Sequence, residues 1–515
     1  MKRKLISLAL VAMMVLAVMP AISQADSAEL PFVTIDWYYG QGEEQPDHQQ
    51  VNEAINEYLL ETLNCNVNLH SWTSDDIQDK LSVMISAGQD CGIIGFGSQT
   101  KLDYGVQSQR GAYYPLNELL EKYGADTKAL FPDSIWEGMK INGNIYGIPS
   151  KKDNGYFMST IYNDTLYQEL VAAGYLEAGT MENLVYGDWR DLEEIGYKVK
   201  EGRDALHPEW ADYPVFWGCD RLYPYYAAFE TFLNDSYLAV CDIDEFDEIA
   251  SADSTKVVNF YAEPEFREFA IQKQKMVADG LYLYDYTDRT ELQYDGGVFA
   301  WMGWGYCYME PHMYGDKFET KMVMSSNIWT ETNNFWSAGT AISANCADPD
   351  RAMMILNMVN TDPKLATMMR FGVEGVHYTF GENGMEFTER NATAGSRGYY
   401  NWYMAPVGNL LIVNAPAQLT GPENAMMNTM AHLNDICVVP AHFGFVLDTA
   451  PIANEIAACT NVIQEYEKDL VKGQCEDEDD VNAVVDEFIA KLEANGVQTI
   501  VDNIQSQIDA WLAAK

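Results

Sequence analysis

Three large aromatic side chains lie within six residues at positions 301–306, where the sequence reads Trp-Met-Gly-Trp-Gly-Tyr. They follow the apolar run 298–300, which is typical of a buried strand, and the two glycines are typical of a turn. A turn at the end of a core strand is a common place for a binding cleft. Flat aromatic faces there suit a ligand with an apolar face of its own, such as a sugar ring, although they would suit a hydrophobic core equally well.

Other aromatic residues stand where predicted strands end, and ligands of open α/β sheets bind outside the carboxyl ends of strands. Tyr39 and Trp72 follow the first two predicted strands, and Trp336 precedes a glycine-containing strand. A loop-rich central stretch carries Trp217 and Arg221. The residues that we predict from these patterns to bind a ligand are Tyr39, Trp72, Trp217, Arg221, Trp301, Trp304 and Trp336.

Motifs of catalysis are missing from the sequence. It contains no GxSxG, HExxH, Walker loop or GxGxxG, and its seven histidines are dispersed without a metal-like pair. We therefore predict no catalytic residue, no metal site and no cofactor. A carboxylate pair of the glycosidase kind would go unnoticed among 77 acidic residues, so a secreted glycosidase stays an alternative. The acidic run 476–480 lacks the spacing of an EF-hand and suits a helix N-terminus.

Hydrophobic periodicity predicts strands and helices in alternation near the start of the chain. The predicted order is strand 33–38, helix 47–62, strand 67–72, helix 75–87 and strand 91–96. That alternation indicates a parallel sheet with crossover helices. Further elements are predicted as strands at 156–162 and 338–343 and helices at 264–279, 348–360, 450–470, 481–495 and 499–514.

The first 25 residues have the pattern of a signal peptide. A basic Lys2-Arg3-Lys4 precedes the apolar run 5–19, and small residues end at Ala25. The apolar run is too short to span a membrane, and the first cysteine is Cys65, so the signal holds no lipid-accepting cysteine. We expect a secreted protein, extracellular or periplasmic, that is released rather than lipid-anchored.

Charge and cysteine content narrow the class of partner. The chain of 515 residues is long enough for more than one domain, and it has 77 acidic against 32 basic residues, a net charge of −45. Removal of the signal peptide, with its three basic residues, would make the net charge −48. Such a field repels nucleic acid and anionic membranes, so neither is expected as a partner. The nine cysteines form no close pair and are expected to be small buried hydrophobes.

The order of these segments resembles that of extracellular solute-binding proteins of ABC importers, the maltose-binding-like class. Residues 136–149, read as a Trp-led hairpin with an Asn-Gly turn at 142–143, resemble the segment before the first crossover between lobes. Residues 297–306 resemble the strand and aromatic turn at the cleft. Residues 341–352 resemble a small strand followed by the P-x-x-A helix of that class.

A more specific resemblance concerns the last third of the chain. Residues 360–363 and then 372–378, Gly-Val-Glu-Gly-Val-His-Tyr, resemble the GxEGxxY element of a subgroup of sugar-binding lipoproteins with a C-terminal domain of unknown function. Gly444-Phe445 with Asp448 and Pro451, and the ending 505–511, resemble that subgroup too. On this resemblance Glu374 and His377 lie near the hinge or cleft. Either they bind sugar hydroxyls or they hold the hinge.

The resemblance implies a two-lobed periplasmic-binding-protein-like α/β fold of class II, with the ligand held between the lobes and closure by a hinge motion. We expect lobe one at 30–150 plus 327–440, and lobe two at 151–326 plus 441–515 with the C-terminal helices. It implies a monomer that is not an enzyme and that delivers an oligosaccharide or glycoside to membrane permease subunits. A peptide or other solute, with Arg221 or Lys151 pairing a carboxylate, is the alternative.

Overall fold

The computed structural model describes most of the chain. The described residues are 30–40, 44–98, 100–185, 187, 189–218, 229–233, 236–242, 255–283, 296–305, 317–325, 327–381, 384–393, 397–401, 408–416, 419, 425–475 and 481–514. The predicted signal peptide 1–25, Arg221 and the acidic run 476–480 lie outside these ranges.

Strands and helices follow the order that the sequence predicts, with ends shifted by a few residues. The strands are β1 Val33–Gly40, β2 Cys65–Trp72, β3 Ile93–Gly97, β4 Lys140–Ile141, β5 Asn144–Ile145, β6 Gly147–Pro149, β7 Phe157–Asn163, β8 Phe216–Gly218, β9 Phe229–Leu233, β10 Ser236–Asp242, β11 Tyr282–Leu283, β12 Ala300–Gly305, β13 Thr320–Met324, β14 Ala338–Ile342, β15 Tyr378–Gly381 and β16 Gly384–Phe387. The helices are α1 His48–Leu63, α2 Ser74–Ser86, α3 Tyr104–Gln109, α4 Asn117–Tyr123, α5 Ala125–Lys128, α6 Asp133–Gly138, α7 Asp164–Ala172, α8 Trp189–Leu206, α9 Pro264–Ala278, α10 Thr332–Trp336, α11 Pro349–Thr361, α12 Pro363–Phe371, α13 Ala425–Ile436, α14 Ala453–Tyr466, α15 Val481–Ala494 and α16 Val497–Ala514.

The first sheet has the strand order β2-β1-β3-β14-β6. β1 pairs in parallel with β2 and β3, as the alternation of strands and helices predicts, whereas β14 pairs antiparallel with β3 and with β6. Helix α1 connects β1 to β2 and buries Val51, Ile55, Leu59 and Leu63, one residue per turn along a single stripe. We call this sheet and the core around it lobe one.

The second sheet has the order β11-β8-β12-β7-β13. β12 runs through residues 300–305 and pairs antiparallel with β7, from Ala300 opposite Tyr162 to Gly305 opposite Phe157. The predicted turn at 301–306 was therefore wrong over its described part, because six consecutive residues enter the ladder with β7. Helices α14 to α16 pack on the core around this sheet, which we call lobe two.

Two smaller features complete the comparison with the sequence. The Asn142-Gly143 turn joins β4 to β5 with φ of 51° and 82°, as a two-residue hairpin turn requires. The hairpin is shorter than predicted, because Trp136 belongs to helix α6. Cysteines within the described ranges form no disulfide bonds, and none of the described helices combines the length and apolar character of a membrane span.

Candidate functional site

The first chain crossing, residues 150–156, joins the carboxyl edges of the two sheets. β6 and β3 are both antiparallel to β14, so β6 leaves lobe one at the edge where β3 ends. β7 is antiparallel to β12 and begins at Phe157, opposite Gly305, the last residue of β12. The chain therefore enters lobe two at the carboxyl edge of its sheet.

The second crossing, residues 325–337, joins the same two edges in the other direction. β13 ends at Met324, opposite Ser159 near the start of β7. β14 then begins at Ala338, opposite Gly97, the last residue of β3. Both crossings thus place the carboxyl edges of the two sheets next to the same hinge. Ligands of open α/β sheets bind outside carboxyl ends, which makes the space between the lobes the candidate site.

A third crossing, residues 437–449, packs into both cores. Phe443 belongs to the core of lobe one, where its ring lies 5.4 Å from that of Phe335. Phe445 belongs to the core of lobe two, where its ring lies 6.0 Å from that of Phe232. Gly444 stands between them with φ of 87°, a conformation that favours glycine.

Side chains tie the first crossing to the second and to helix α13, which leads into the third. Asn434 accepts a hydrogen bond from the Gly155 amide at 2.8 Å and donates one to the Lys152 carbonyl at 2.7 Å. Asn334 of the second crossing donates to the Asn154 carbonyl of the first at 3.0 Å. These amides satisfy backbone groups that no ladder serves, and so they fix the paths of the crossings.

A further bond of this kind joins the second crossing to the third. The Thr332 hydroxyl accepts a hydrogen bond from the amide of Gly444 at 2.9 Å. Lys151 fastens the first crossing to lobe one, because its ammonium donates to the Leu130 carbonyl at 2.6 Å and burial lowers its pKa. Lys151 therefore already has a partner, which weakens it as the carboxylate ligand of the peptide alternative.

Trp72 and Trp336 are half-buried at the carboxyl edge of lobe one. Trp72 ends β2 opposite Gly40, its ring lies 5.1 Å from that of Tyr38, and the Lys80 ammonium lies 4.9 Å from its centre. Trp336 is the last residue of helix α10 in the second crossing, and its indole N–H donates to the Gly138 carbonyl at 3.2 Å. Both remain predicted ligand contacts.

Tyr39 and Trp301 lie in the interior, which corrects the prediction that they face a ligand. The Tyr39 side chain is 1% exposed within the core of lobe one, and burial raises its pKa well above the usual value. Trp301 is 4% exposed and packs with Ile161, Val298 and Phe318. Residues 37–40 of β1 are all buried, so both faces of the sheet are covered there, as is usual for a parallel sheet with crossover helices.

The strand pairing gives the backbone positions of Trp217 and Trp304. Trp217 is the middle residue of β8 and pairs with Trp301, whereas Trp304 is one residue from the end of β12 and pairs with Met158. Trp304 thus stands at the carboxyl edge of lobe two, level with the end of the first crossing. Their side chains, like the whole of Arg221, lie outside what the structure describes, and all three stay predictions.

The GxEGxxY element stabilises lobe one through hydrogen bonds of His377. His377 is fully buried: its Nδ1 accepts from the Val373 amide at 2.9 Å, and its Nε2 donates to Asp47 Oδ2 at 3.1 Å. Burial lowers the pKa of His377, which keeps the ring neutral. Gly372, with φ of 84°, lies so close that an added Cβ would stand 2.6 Å from His377 Nδ1.

Glu374 is exposed on the turn between Gly372 and Tyr378. The expectation that His377 contacts a ligand is corrected, since its side chain is fully buried, whereas the placement of exposed Glu374 near the hinge or cleft stays a prediction. The Arg390 guanidinium donates two hydrogen bonds to the Asp47 carboxylate, at 2.6 and 2.8 Å. These bonds hold the pKa of Asp47 below its usual value.

Sequence reasoning missed the hinge asparagines and the Asp47 contacts. Asn434 and its partner Gly155 are 279 residues apart, and His377 and Asp47 are 330 apart. No local pattern marks such a pair. Within the described ranges no group of three or more His, Cys, Asp or Glu side chains is placed to hold a metal ion.

Comparison with known proteins agrees with this architecture. The family described as "Domain of unknown function (DUF3502)" matches residues 441–513. A carbohydrate ABC transporter substrate-binding protein of Streptococcus pneumoniae serotype 4 is 25% identical, over 95% of this chain and 93% of that protein. These two matches confirm the resemblance found in the sequence, to such binding proteins and to the C-terminal domain.

Solved structures confirm the two-lobed α/β fold. The N-glycan transport solute binding protein (NgtS) of Streptococcus pneumoniae aligns with a TM-score of 0.72 and 20% identity, covering 94% of this chain and 99% of that one. An extracellular solute-binding protein of Bifidobacterium longum subsp. infantis aligns with a TM-score of 0.59 and 15% identity, covering 94% and 98%.

Proposed function

We propose that this protein is the substrate-binding component of an ABC importer and that it holds an oligosaccharide or glycoside between its lobes. The observation that carries the proposal is that two crossings join the carboxyl edges of both sheets, with Trp72 and Trp336 at one edge and Trp304 at the other. Sugar rings stack on aromatic faces, and their hydroxyls need a few polar partners. The carbohydrate-binding relative from Streptococcus pneumoniae supports the same assignment.

The protein would act by binding and not by chemistry. An open form admits the sugar, the lobes close about the hinge, and the closed form presents the sugar to the permease. The proposed contacts are Trp72, Trp336 and Trp304, with Trp217 and Arg221 from the central stretch. Lobe one is proposed to comprise 30–150 plus 327–440, and lobe two 151–326 plus 441–515.

The proposal includes a cellular setting. The protein acts as a monomer outside the cytoplasmic membrane after loss of its signal peptide, and its partners are the sugar and the permease subunits of the importer. It has no glycosidase activity of its own. The transport role of the relative supports this setting.

A ligand screen tests the proposal. Thermal shift against N-glycan fragments, fructo-oligosaccharides and milk oligosaccharides should raise the melting temperature with at least one sugar, because a ligand that binds only the folded state stabilises it. Peptides of equal mass should give no shift. Stabilisation by peptides alone, or release of reducing sugar from the same glycans, would replace the proposal with one of the two alternatives.

A further inference from the structure

The C-terminal helix α16 holds two separate segments through glutamine side chains. Gln507 accepts a hydrogen bond from the Asp448 amide at 2.9 Å and donates one to the Asp448 carbonyl at 2.9 Å. Both polar atoms of the side chain thus bond one backbone residue at the end of the third crossing. Such a pair fixes the position of the backbone as the neighbouring strand of a sheet would.

Gln505, two residues earlier, also bonds backbone groups through both polar atoms of its side chain, on the other side of the helix. Its Oε1 accepts from the Val257 amide at 2.8 Å, and its Nε2 donates to the Thr255 carbonyl at 3.0 Å. The neighbouring Val258 in turn exchanges two backbone hydrogen bonds of 3.0 Å with Val240 of strand β10. Gln505 therefore anchors α16 to lobe two.

Apolar contacts hold α16 in the same place. Its buried residues Val497, Ile500, Val501, Ile504 and Ile508 recur at helical spacing and belong to the core of lobe two. Near its end the Trp511 ring lies 6.0 Å from that of Phe445 at an interplanar angle of 72°, an edge-to-face contact.

We propose that the C-terminal segment, for which the matching family states no function, clamps the third crossing to lobe two and thereby sets the angle between the lobes. Gln507 forms hydrogen bonds with Asp448, and Trp511 packs against Phe445. Phe443, on the other side of Gly444, lies in the core of lobe one. Val446 also packs against the core of lobe one and Leu447 against the core of lobe two. The segment from Phe443 to Asp448 thus contacts both lobes, and Gln507 and Trp511 fix its position relative to lobe two.

Gln507 and Trp511 are accordingly positioning residues for ligand binding, which act through the hinge and not by contact with the ligand. This consequence rests on the proposed function, but the clamp itself does not. The test is therefore made on the unliganded full-length protein, where failure of the clamp and failure of the sugar assignment give different results.

The main variant is Gln507→Leu, which keeps the bulk and removes both hydrogen bonds to Asp448 together with the one to Asn503, one turn away. Its matched control is Gln498→Leu on the same helix, because exposed Gln498 bonds Asp502 one turn away within that helix. Hydrogen exchange at the Asp448 amide should become at least fivefold faster in Gln507→Leu and stay unchanged in the control. Trp511→Leu provides a second variant that removes only the ring contact.

Inter-lobe geometry is the decisive readout. Spin labels on non-natural amino acids at exposed Val83 in lobe one and Ile271 in lobe two report the distance between the lobes. Gln507→Leu and Trp511→Leu should broaden or shift that distance distribution, and Gln498→Leu should not. An unchanged distribution in both clamp variants, with faster exchange only at residue 448, would overturn the proposal, as would an equal change in the control.

Discussion

Phe443 and Phe445 are two residues apart in the chain, and their rings pack into different hydrophobic cores. The intervening Gly444 has no room for a side chain, because an added Cβ would stand 2.5 Å from Gly138 Cα and 2.8 Å from the Gly138 carbonyl oxygen. The backbone of Gly444 in the third crossing therefore packs directly against the backbone of Gly138 in lobe one. A contact this close transmits a displacement of either lobe to the other.

Gly444→Ala should destabilise the protein by about 2 kcal/mol or more, since it adds a steric clash to the cost of a left-handed conformation. The matched control is Gly111→Ala, because Gly111 has a similar φ of 74° but nothing within 4 Å of its added Cβ. Denaturant unfolding of both variants measures the difference. Equal losses would mean that the Gly138 contact is not tight.

Asn434→Ala removes two hydrogen bonds between helix α13 and the first crossing and leaves the Gly155 amide and the Lys152 carbonyl without that partner. A loss of about 1–3 kcal/mol in unfolding free energy is expected, as for a buried group left unsatisfied. The exposed Asn183, which bonds only the Gly179 carbonyl, gives the control Asn183→Ala with a change within about 0.5 kcal/mol. A loss no larger than the control's would show that Asn434 does not hold the hinge.

Acidification should destabilise lobe one through His377. Burial lowers the pKa of His377 below its usual 6.5, so the unfolded chain takes up this proton at a higher pH than the folded protein. Stability is then lost as the pH falls through about 6.5, whereas the contribution of Asp47, whose pKa is lowered from 3.8 by Arg390, is lost only in stronger acid.

The variant that checks this is His377→Asn, whose amide cannot titrate but can accept from the Val373 amide. Between pH 7.5 and 5.0 its melting temperature should fall by less than that of the wild type. Exposed His432 supplies the control His432→Asn, which should keep the wild-type slope. Parallel slopes for wild type and His377→Asn would assign the acid sensitivity to other groups.

Trp304→Ala should weaken binding of the selected sugar at least tenfold, because a desolvated aromatic contact is worth on the order of 2 kcal/mol. Trp304→Phe keeps a ring at the same place in β12 and should retain most of the affinity. Calorimetry on both folded variants gives the comparison. Wild-type affinity in Trp304→Ala would place this residue in the core or at the rim.

Sequence patterns predicted those elements whose signal is local. The stripe of α1 and the Asn142-Gly143 turn are examples, since each depends on residues a few positions apart. A turn was predicted wrongly at 301–306, because these residues form a strand only by pairing with β7, about 140 residues earlier in the chain. A glycine suits a turn and a ladder alike, and only the partner strand decides between them.

The candidate site was predictable as a region and less so as residues. Trp72 ends β2, as the alternating run 67–72 predicts, whereas β12 ends at Gly305, five residues after the hydrophobic run 298–300. Tyr39 was misplaced because β1 is buried on both faces near its end, and Trp301 because it is the second residue of β12 and not part of a turn after it. The structural role of His377 was not predictable, because its partner Asp47 is 330 residues away in the chain.

Small-angle X-ray scattering with and without a saturating amount of the oligosaccharide selected by the screen tests the central claim most directly. Closure of two lobes about the hinge predicts a smaller radius of gyration and a shorter maximum dimension in the saturated sample. An unchanged radius at calorimetrically proven saturation would contradict the claim that the protein holds its sugar by closing between the lobes.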